Sequence, residues 1–364
     1  MSNRRELMAL GAATALSACA PSQRRPSAYE RLAESIRKPL GPQPDVLELV
    51  RFAALAGNGH NTQAWRFAVA PSRVSILPDF SRRTPVVDPD DHHLYVSLGC
   101  AAENFVQAAE GTGRPAKVVF VGEGEGRLDI DLGSSRLRPA NLFQAIPLRQ
   151  CTRSEYSGSS VPLADIKRLE TAAAADGVSV FILTDRSKID TVRDFVVQGN
   201  SRQMEDAAFR AELKRWIRFN DTDAIAKRDG LFTAASGNPQ LPTWAGDAIF
   251  PFVFTEKSEN DTYARQMASS SGVAVFVGDR ADHAHWIKVG RSVQRFALQI
   301  AALGMTYAVV NQPIEVPSVR SAFAGWLGMG KARPDFVLRF GYAKLNQGLP
   351  KSLRRSVTDI VIQG

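Results

Sequence analysis

The amino-acid sequence predicts an α+β protein in which two similar α/β halves face one another within one chain, an intrachain pseudo-dimer. Three observations lead there. A helical stretch occurs twice with matched landmarks, DHHLYVSLGCAAENFVQAAEGTG at 91–113 and DHAHWIKVGRSVQRFALQIAALG at 282–304. Short β-branched and apolar runs that read as strands flank both copies. The chain is also large enough for one sizeable core or two smaller ones, with 364 residues, 44% hydrophobic and 23% charged.

The N-terminal stretch MSNRRELMALGAATALSAC (1–19) has a basic pair, Arg4-Arg5, then a weakly apolar segment and small residues before Cys19. The apolar run is too short to span a bilayer and reads as an export signal. Arg4-Arg5 resembles a twin-arginine signal, and Leu16-Ser17-Ala18-Cys19 resembles the lipobox whose cysteine is acylated. A frayed cytosolic terminus with a chance cysteine is the alternative; three signal features in order favour export. That reading puts the protein in the cell envelope or periplasm, lipid-anchored at Cys19, with APSQRRPSA (20–28) as a tether.

The first half (29–148) begins with PDVLELVRFAALAGN (44–58), an amphipathic helix. It reaches the strand WRFAVA (65–70) through GNGHNTQA, a turn crowded with hydrogen-bonding side chains. Gly57 suits a helix cap and Asn58-Gly59 a turn, so a decorated loop and a ligand site are both open here. RVSILP (73–78) is a second strand, the 91–113 helix follows, and AKVVFV (116–121) is a third strand. Asp90-Asp91-His92-His93 is read as acidic helix-start capping rather than a metal site, because adjacent helical residues point in different directions. No Cys/His spacing of zinc type occurs, and whether Cys100 and Cys151 pair is open.

The second half (149–364) repeats the order: helix PLADIKRLETAAAADG (162–177), strand VSVFILT, strand GVAVFVG (272–278), helix 282–304 and strand TYAVVN (306–311). The repeated helices share Asp-His at the start, an aromatic (Tyr95, Trp286), glycine (Gly99, Gly290), phenylalanine (Phe105, Phe296) and a closing glycine (Gly113, Gly304). Between its first two strands lies an insertion, about 185–271, with the helical runs KIDTVRDFVVQG and RQMEDAAFRAELKRWIRF and then LFTAASGNPQLPTWAGD. Such a segment is cladding or a flap over a pocket. The net charge of +8 suits an anionic partner. Apart from short clusters such as Arg24-Arg25 and Arg354-Arg355 the basic residues are scattered, with no aromatic-interleaved stripe, which argues against nucleic acid.

HNTQAW after an Ala-rich helix resembles the polar turn of the nitroreductase-like flavoproteins, Pro-Ser-x-x-Asn-x-Gln-Pro-Trp. RQCTRSEY (149–156) resembles the Arg-Arg-Ser-x-Arg phosphate motif of that family, and PDFVLRFGYA with PKSLRR resembles its last strand and basic FMN-phosphate segment. The resemblance spans roughly 28–362 and is strongest to the double-length, Acg-type FMN-binding branch. Gly57-Asn58 stands where the family has Pro-Ser, Ala64 where it has proline before Trp65, and Cys151 where it has serine.

The resemblance implies a nitroreductase-like fold with FMN at the junction of the halves. Arg149 and Arg153, with Arg354 and Lys351 or Arg355, would hold the phosphate, with Cys151 in the same motif. His60, Asn61 and Gln63 would face the isoalloxazine edge, and Gln312-Pro313 would approach the ring. Forked, permanently charged guanidiniums suit a dianionic phosphate, and an amide that both donates and accepts suits the flavin edge. Counted back from the matching helices, Arg31 falls opposite Arg149 but Ser35 opposite Arg153, and ADGVSVF lacks the polar turn. One FMN per monomeric chain is therefore expected. The implied activity passes hydride from NAD(P)H or another donor through flavin to a quinone- or nitroaromatic-like acceptor. The alternative is a flavin-sequestering protein with a covered cofactor.

Overall fold

A computed structural model describes residues 25–133, 139–330, 332–344 and 348–362. The signal-like segment and Cys19 lie outside the described residues. Helix α1 (Ala28–Ser35) starts on a capping box made by Ser27 and Glu30, so the expected tether gives way to helix by residue 28. Helix α2 (Val46–Ala53) is capped by Asp45, whose side chain accepts from Glu48 N, and buries Leu49, Val50, Phe52 and Ala53.

Strands β1 (Trp65–Ala70) and β2 (Arg73–Pro78) form a hairpin, and α3 (His92–Gly111), β3 (Ala116–Val121) and β4 (Arg127–Leu132) complete the first half. The second half runs α4 (Leu163–Ala173) and β5 (Val178–Leu183), then the insertion. The insertion comprises α5 (Arg186–Glu205), α6 (Ala207–Arg215), β6 (Ile217–Arg218), α7 (Asp221–Lys227), β7 (Leu231–Phe232), α8 (Thr243–Val253) and α9 (Glu256–Ala268). After it come β8 (Gly272–Gly278), α10 (His283–Ala302), β9 (Thr306–Val309), α11 (Gln312–Glu315), α12 (Pro317–Trp326) and β10 (Phe336–Gly341). The chain ends its described course with α13 (Val357–Ile360) and β11 (Val361–Ile362).

The two main sheets have the same order. One runs β11-β1-β2-β4-β3, the other β5-β8-β10-β9, so β1, β2, β4 and β3 answer to β5, β8, β10 and β9. Within these shared four-strand orders every pairing is antiparallel. The added edge, β11, comes from the far end of the chain and pairs parallel with β1 through Phe67↔Val361. One hydrophobic cluster runs through α2, α3, α4, α10 and both sheets, with Phe105 and Phe296 wholly buried. Burying each such ring contributes about 1.5–3 kcal/mol.

The two long helices cross at the repeated glycines. A Cβ on Gly99 would run into Ile287 O, and one on Gly290 into Val96 O, with Arg291 N and Cys100 N each 3.1 Å away. Val96 and Ile287 hold equivalent places in the repeat, as do Cys100 and Arg291, so the contacts are reciprocal.

The expected start of α3 differs. Asp91 is left-handed (φ 57°) and its side chain caps nothing; Asp88 takes that role, its carboxylate accepting from His93 N and Leu94 N at 3.0 Å. Behind it, His92 Nε2 sits 3.2 Å from Asp335 Oδ1, while Asp335 Oδ2 accepts from Gly278 N at 2.6 Å. Asp88, His92 and His93 lie close enough to offer ligand atoms within 4.8 Å, but the Arg333 and Arg320 guanidiniums beside His92 disfavour a cation.

Burial lifts Asp335 to about 7, against the Gly278 hydrogen bond and nearby Arg333. The folded state therefore holds a proton that the unfolded chain releases near 4, and stability from this group drains away as pH rises through 7. His92 and His93, pressed by burial down to about 3, act oppositely: their share is lost as pH falls from 6.5 toward 3. Asp335→Asn is expected to gain stability relative to the native chain as pH rises from about 5 to 8. Melting curves across that range check this; a pH-independent difference contradicts it.

Candidate functional site

The site is built where α2 ends. His60, Asn61 and Gln63 all have positive φ (45°, 54° and 54°), a conformation that costs of order 1–3 kcal/mol at a non-glycine residue unless its surroundings impose it. The surroundings are hydrogen bonds. Asn58 Oδ1 accepts from Gln63 N at 2.9 Å, and Asn61 Nδ2 donates to Gly230 O at 3.1 Å and Leu353 O at 3.3 Å. Gln63 Nε2 donates to Arg228 O at 2.9 Å, and Gln63 Oε1 accepts from Arg355 N at 2.8 Å. The turn is thus tied to the insertion and to the C-terminal segment.

This corrects the expected role of Gln63. Both ends of its amide bond to the protein, and the residue is wholly buried. Asn61 keeps Oδ1 free, buried and without a partner, as are His60 Nδ1, His93 Nδ1 and Gln312 Oε1. Buried polar atoms left unmatched cost about 1–3 kcal/mol each, a cost that a polar ligand touching them would relieve. Burial pushes the His60 ring down to about 4, with Arg153 and His93 adding to the effect, so it is neutral at physiological pH.

Beside this turn lies a set of cations. Arg149 and Arg354 are buried and converge on the last carbonyls of the α2 region: Arg149 Nη2 donates to Leu55 O at 2.6 Å, and Arg354 Nε to Ala54 O at 2.7 Å. Arg149 Nη1 donates to the Tyr307 hydroxyl at 2.5 Å, while Arg149 Nε has no partner. Arg37, at the end of α1, and Lys351 belong to the same group. Burial, then Arg149, pulls Arg37 down to about 10; burial, then Arg37 and Arg149, lowers Lys351. Burial, then Arg149 and Arg37, presses Arg354 well below the ordinary range, yet an arginine keeps its charge in such surroundings.

Among the described residues no carboxylate forms an ion pair with Arg37, Arg149, Lys351 or Arg354. The end of a helix supplies roughly half a negative charge. Four cations around it leave a surplus that a phosphate dianion would match. Gly57 lies against this group: a Cβ there would touch Gln294 Oε1, the Tyr307 hydroxyl and Arg149 Nη1 at 3.7–3.9 Å.

The structure divides the expected phosphate residues. Arg149, Arg354 and Lys351 come together, whereas Arg153 lies by His60 and Tyr263, its guanidinium making no hydrogen bond or ion pair among the described residues while its carbonyl accepts from Gln266 Nε2 at 3.2 Å. Arg355 turns away to Asp79 (3.7 Å) and Asp359 O (2.7 Å). Cys151 pairs with Tyr307 through an isolated backbone bridge, and both Cys100 and Cys151 are free thiols. Gln312 Nε2 donates to Tyr263 of α9 at 2.6 Å, and Pro313 is buried beside it on α11. Sequence reasoning missed Arg37, Tyr307, His93 and Tyr263; only the repeat, which brings α10 and β9 to α2, carried a signal for Tyr307.

The equivalent place in the other half is built differently. There α4 ends, and Arg295 donates to Ala172 O (2.8 Å) and Ala174 O (3.0 Å). Glu103, equivalent in register to Gln294, is buried and accepts from Arg291 Nε (2.9 Å), Arg295 Nη1 (3.0 Å) and Gln107 Nε2 (3.0 Å). Burial raises its carboxyl, but the two guanidiniums outweigh that and hold it below the usual range. An internal carboxylate thus neutralises this arginine pair. Glu103→Gln is expected to cost about 3–5 kcal/mol, the usual penalty for breaking a buried pair. Urea denaturation measures it, and a loss under about 1 kcal/mol would contradict the assignment.

No family model matches the chain. It is similar, at 26% identity over 327 residues, to proteins of Mycobacterium tuberculosis strains CDC 1551 and H37Rv that carry the name "Putative NAD(P)H nitroreductase"; the alignment covers 87% of this chain and 90% of each relative. Among solved structures it resembles the FMN-dependent nitroreductase NfnB from Mycobacterium smegmatis, in complex with NADPH, at 14% identity and a TM-score of 0.36 over 59% of this chain and 94% of that one. A nitroreductase with bound FMN from Bacteroides fragilis overlaps with a TM-score of 0.35 and 13% identity, over 59% of this chain and 95% of that one. Both structural overlaps are loose.

Proposed function

We propose that the chain is an FMN-dependent oxidoreductase of nitroreductase type, folded as an intrachain pseudo-dimer with one cofactor site. The observation that carries this is the cation group formed by buried Arg149 and Arg354 with half-buried Arg37 and Lys351, which among the described residues lacks a carboxylate partner and lies beside a strained turn with unmatched polar atoms. The relatives named as NAD(P)H nitroreductases support the same class and a nicotinamide donor. The shared sheet order and the reciprocal Gly99 and Gly290 contacts support the pseudo-dimer. Glu103 in the equivalent place supports a single site.

When bound, FMN supplies the two-electron chemistry. The chain's own residues bind and orient it. Arg149, Arg354, Arg37 and Lys351 would hold the phosphate; Asn61 Oδ1, His60 Nδ1, Arg153 and Gln312 Oε1 would meet the polar edge of the ring. Neutral His60 can accept or donate there without adding charge. The insertion is latched to this end, since Gly230 N donates to Asn61 O at 3.1 Å and Asp229 pairs with Arg82 and Arg218. The acceptor is a quinone- or nitroaromatic-like molecule. The signal-like N-terminus supports export and anchoring of a monomer at the envelope, where the donor must be one available outside the cytoplasm.

The latched insertion is what the sequestering alternative would need. Anaerobic mixing of the flavin-loaded protein with NADPH separates the two. Bleaching of the flavin absorbance is expected; flavin that dithionite bleaches but neither NADPH nor a reduced quinol does would assign the protein to storage.

A further inference from the structure

We propose that α8 is a membrane-interfacial helix that lays its outer face on an anionic lipid surface. Its sequence, TWAGDAIFPFV, is apolar on every side except at Asp247, and Lys214 neutralises that carboxylate at 3.0 Å. A helix apolar all round belongs inside a core or in lipid. This one is on the surface: Trp244 is 77% exposed, Phe252 80%, Val253 57% and Ile249 39%.

The inward face of α8 is already satisfied. The Phe219 ring occupies the space a Cβ on Gly246 would need, and Phe250 packs edge-on to Phe219 with centroids 6.5 Å apart. Trp244, Ala248, Pro251 and Phe252, at i, i+4, i+7 and i+8, form one outward stripe, with the Lys214-paired Asp247 beside it. Aromatic side chains in such a stripe suit the headgroup boundary. Among the described residues no helix is long and apolar enough to cross a membrane, so α8 would lie on the surface rather than span it.

The position of the N-terminal segment selects lipid as the occupant. Tyr29 of α1 packs against Phe232 in a tilted pair with centroids 4.6 Å apart, and Tyr29 and Ala33 share a cluster with Ala224 of α7. Asn220, which caps α7, donates to Thr243 Oγ1 at 3.1 Å at the start of α8. The chain therefore leaves α1 on the lobe that carries α8. Cys19 precedes the Ser27 cap by only eight residues, a reach of at most roughly 30 Å. An acylated Cys19 would hold that lobe against the bilayer. The net charge of +8 favours anionic headgroups.

The test uses the full chain carrying Cys19→Ser, so that no acyl chain contributes to binding, with phosphatidylethanolamine–phosphatidylglycerol vesicles. Co-sedimentation is expected, and Trp244→Ser with Phe252→Ser is expected to lower the partition coefficient about ten-fold or more. Leu163→Ser, at another exposed apolar residue (69%), should leave binding unchanged, and circular dichroism should show all variants folded. Equal binding by native and α8-variant proteins overturns the proposal, as does absence of binding. A concentration-dependent dimer abolished by the α8 variant also overturns it, assigning the face to a second copy of the chain.

Discussion

Arg149→Met is expected to weaken FMN binding about 100-fold or more while leaving the apoprotein nearly as stable as the native chain. Arg149 has a free Nε and two further donors aimed at Tyr307 and Leu55 O, and charge-assisted bonds to a phosphate contribute about 1.5–3 kcal/mol each. Losing two of them gives the stated factor. In the apoprotein, the lost hydrogen bonds are offset because Arg37, Arg354 and Lys351 are freed from a neighbouring cation that disfavours their charge. A merely structural Arg149 gives the opposite pattern. Titration of apoprotein with FMN, alongside melting of the cofactor-free protein, separates them; a large loss of apo stability with unchanged affinity would sink the phosphate assignment.

Gly290→Ala is the second large effect, this time on stability. The added methyl meets Val96 O and lies near Cys100 N, backbone that cannot rotate aside. Overpacking of this kind costs about 1–3 kcal/mol, occasionally more, and a collision with carbonyl oxygen belongs at the upper end. Gly99→Ala strikes Ile287 O in the same way, so the two substitutions should resemble one another. Their sum should fall short when combined, because once α3 and α10 have separated the second methyl meets an open gap. Urea denaturation of both single variants and the double variant measures this. Losses under about 0.5 kcal/mol would contradict a close crossing.

The repeat was legible because its constraints are local and strong. Gly99 and Gly290 recur at one place because two backbones touch there, and a short, β-branched apolar run such as GVAVFVG suits a strand buried on both faces. Strand β4, RLDIDL, escaped notice because Asp129 and Asp131 depress strand propensity; they are tolerated by pairing with Arg127, Ser75 and Arg73. Gly199 reads as the end of KIDTVRDFVVQG, yet α5 continues to Glu205, because that glycine admits the Gln312 backbone instead of ending the helix.

The candidate site shows the same division. The polar turn and Arg149 with Arg354 were visible as chemistry, and the halves bring them together: Asn61 Nδ2 and Arg354 Nη1 both donate to Leu353 O, and Arg354 and Arg149 both reach Leu55 O. Which amide faces a ligand was not visible. Gln63 and Asn61 look alike in sequence, and only the fold places Arg228 O and Arg355 N against the former. Arg37 carried no signal, since one arginine at the end of a short helix is ordinary until three other cations are found around it. Arg153 and Arg355 were legible as cations but not as to where they point, because the one lies by His60 and the other turns away to Asp79, both remote in the chain.

The most direct test is a titration of the cofactor-free protein with FMN, followed by flavin fluorescence and by calorimetry, to give the number of sites. One equivalent per chain is predicted, with saturation abolished or shifted by Arg149→Met and restored toward native by Arg149→Lys only in part. Two equivalents would mean that Glu103 does not close the second place, and no binding at all would contradict the account at its root.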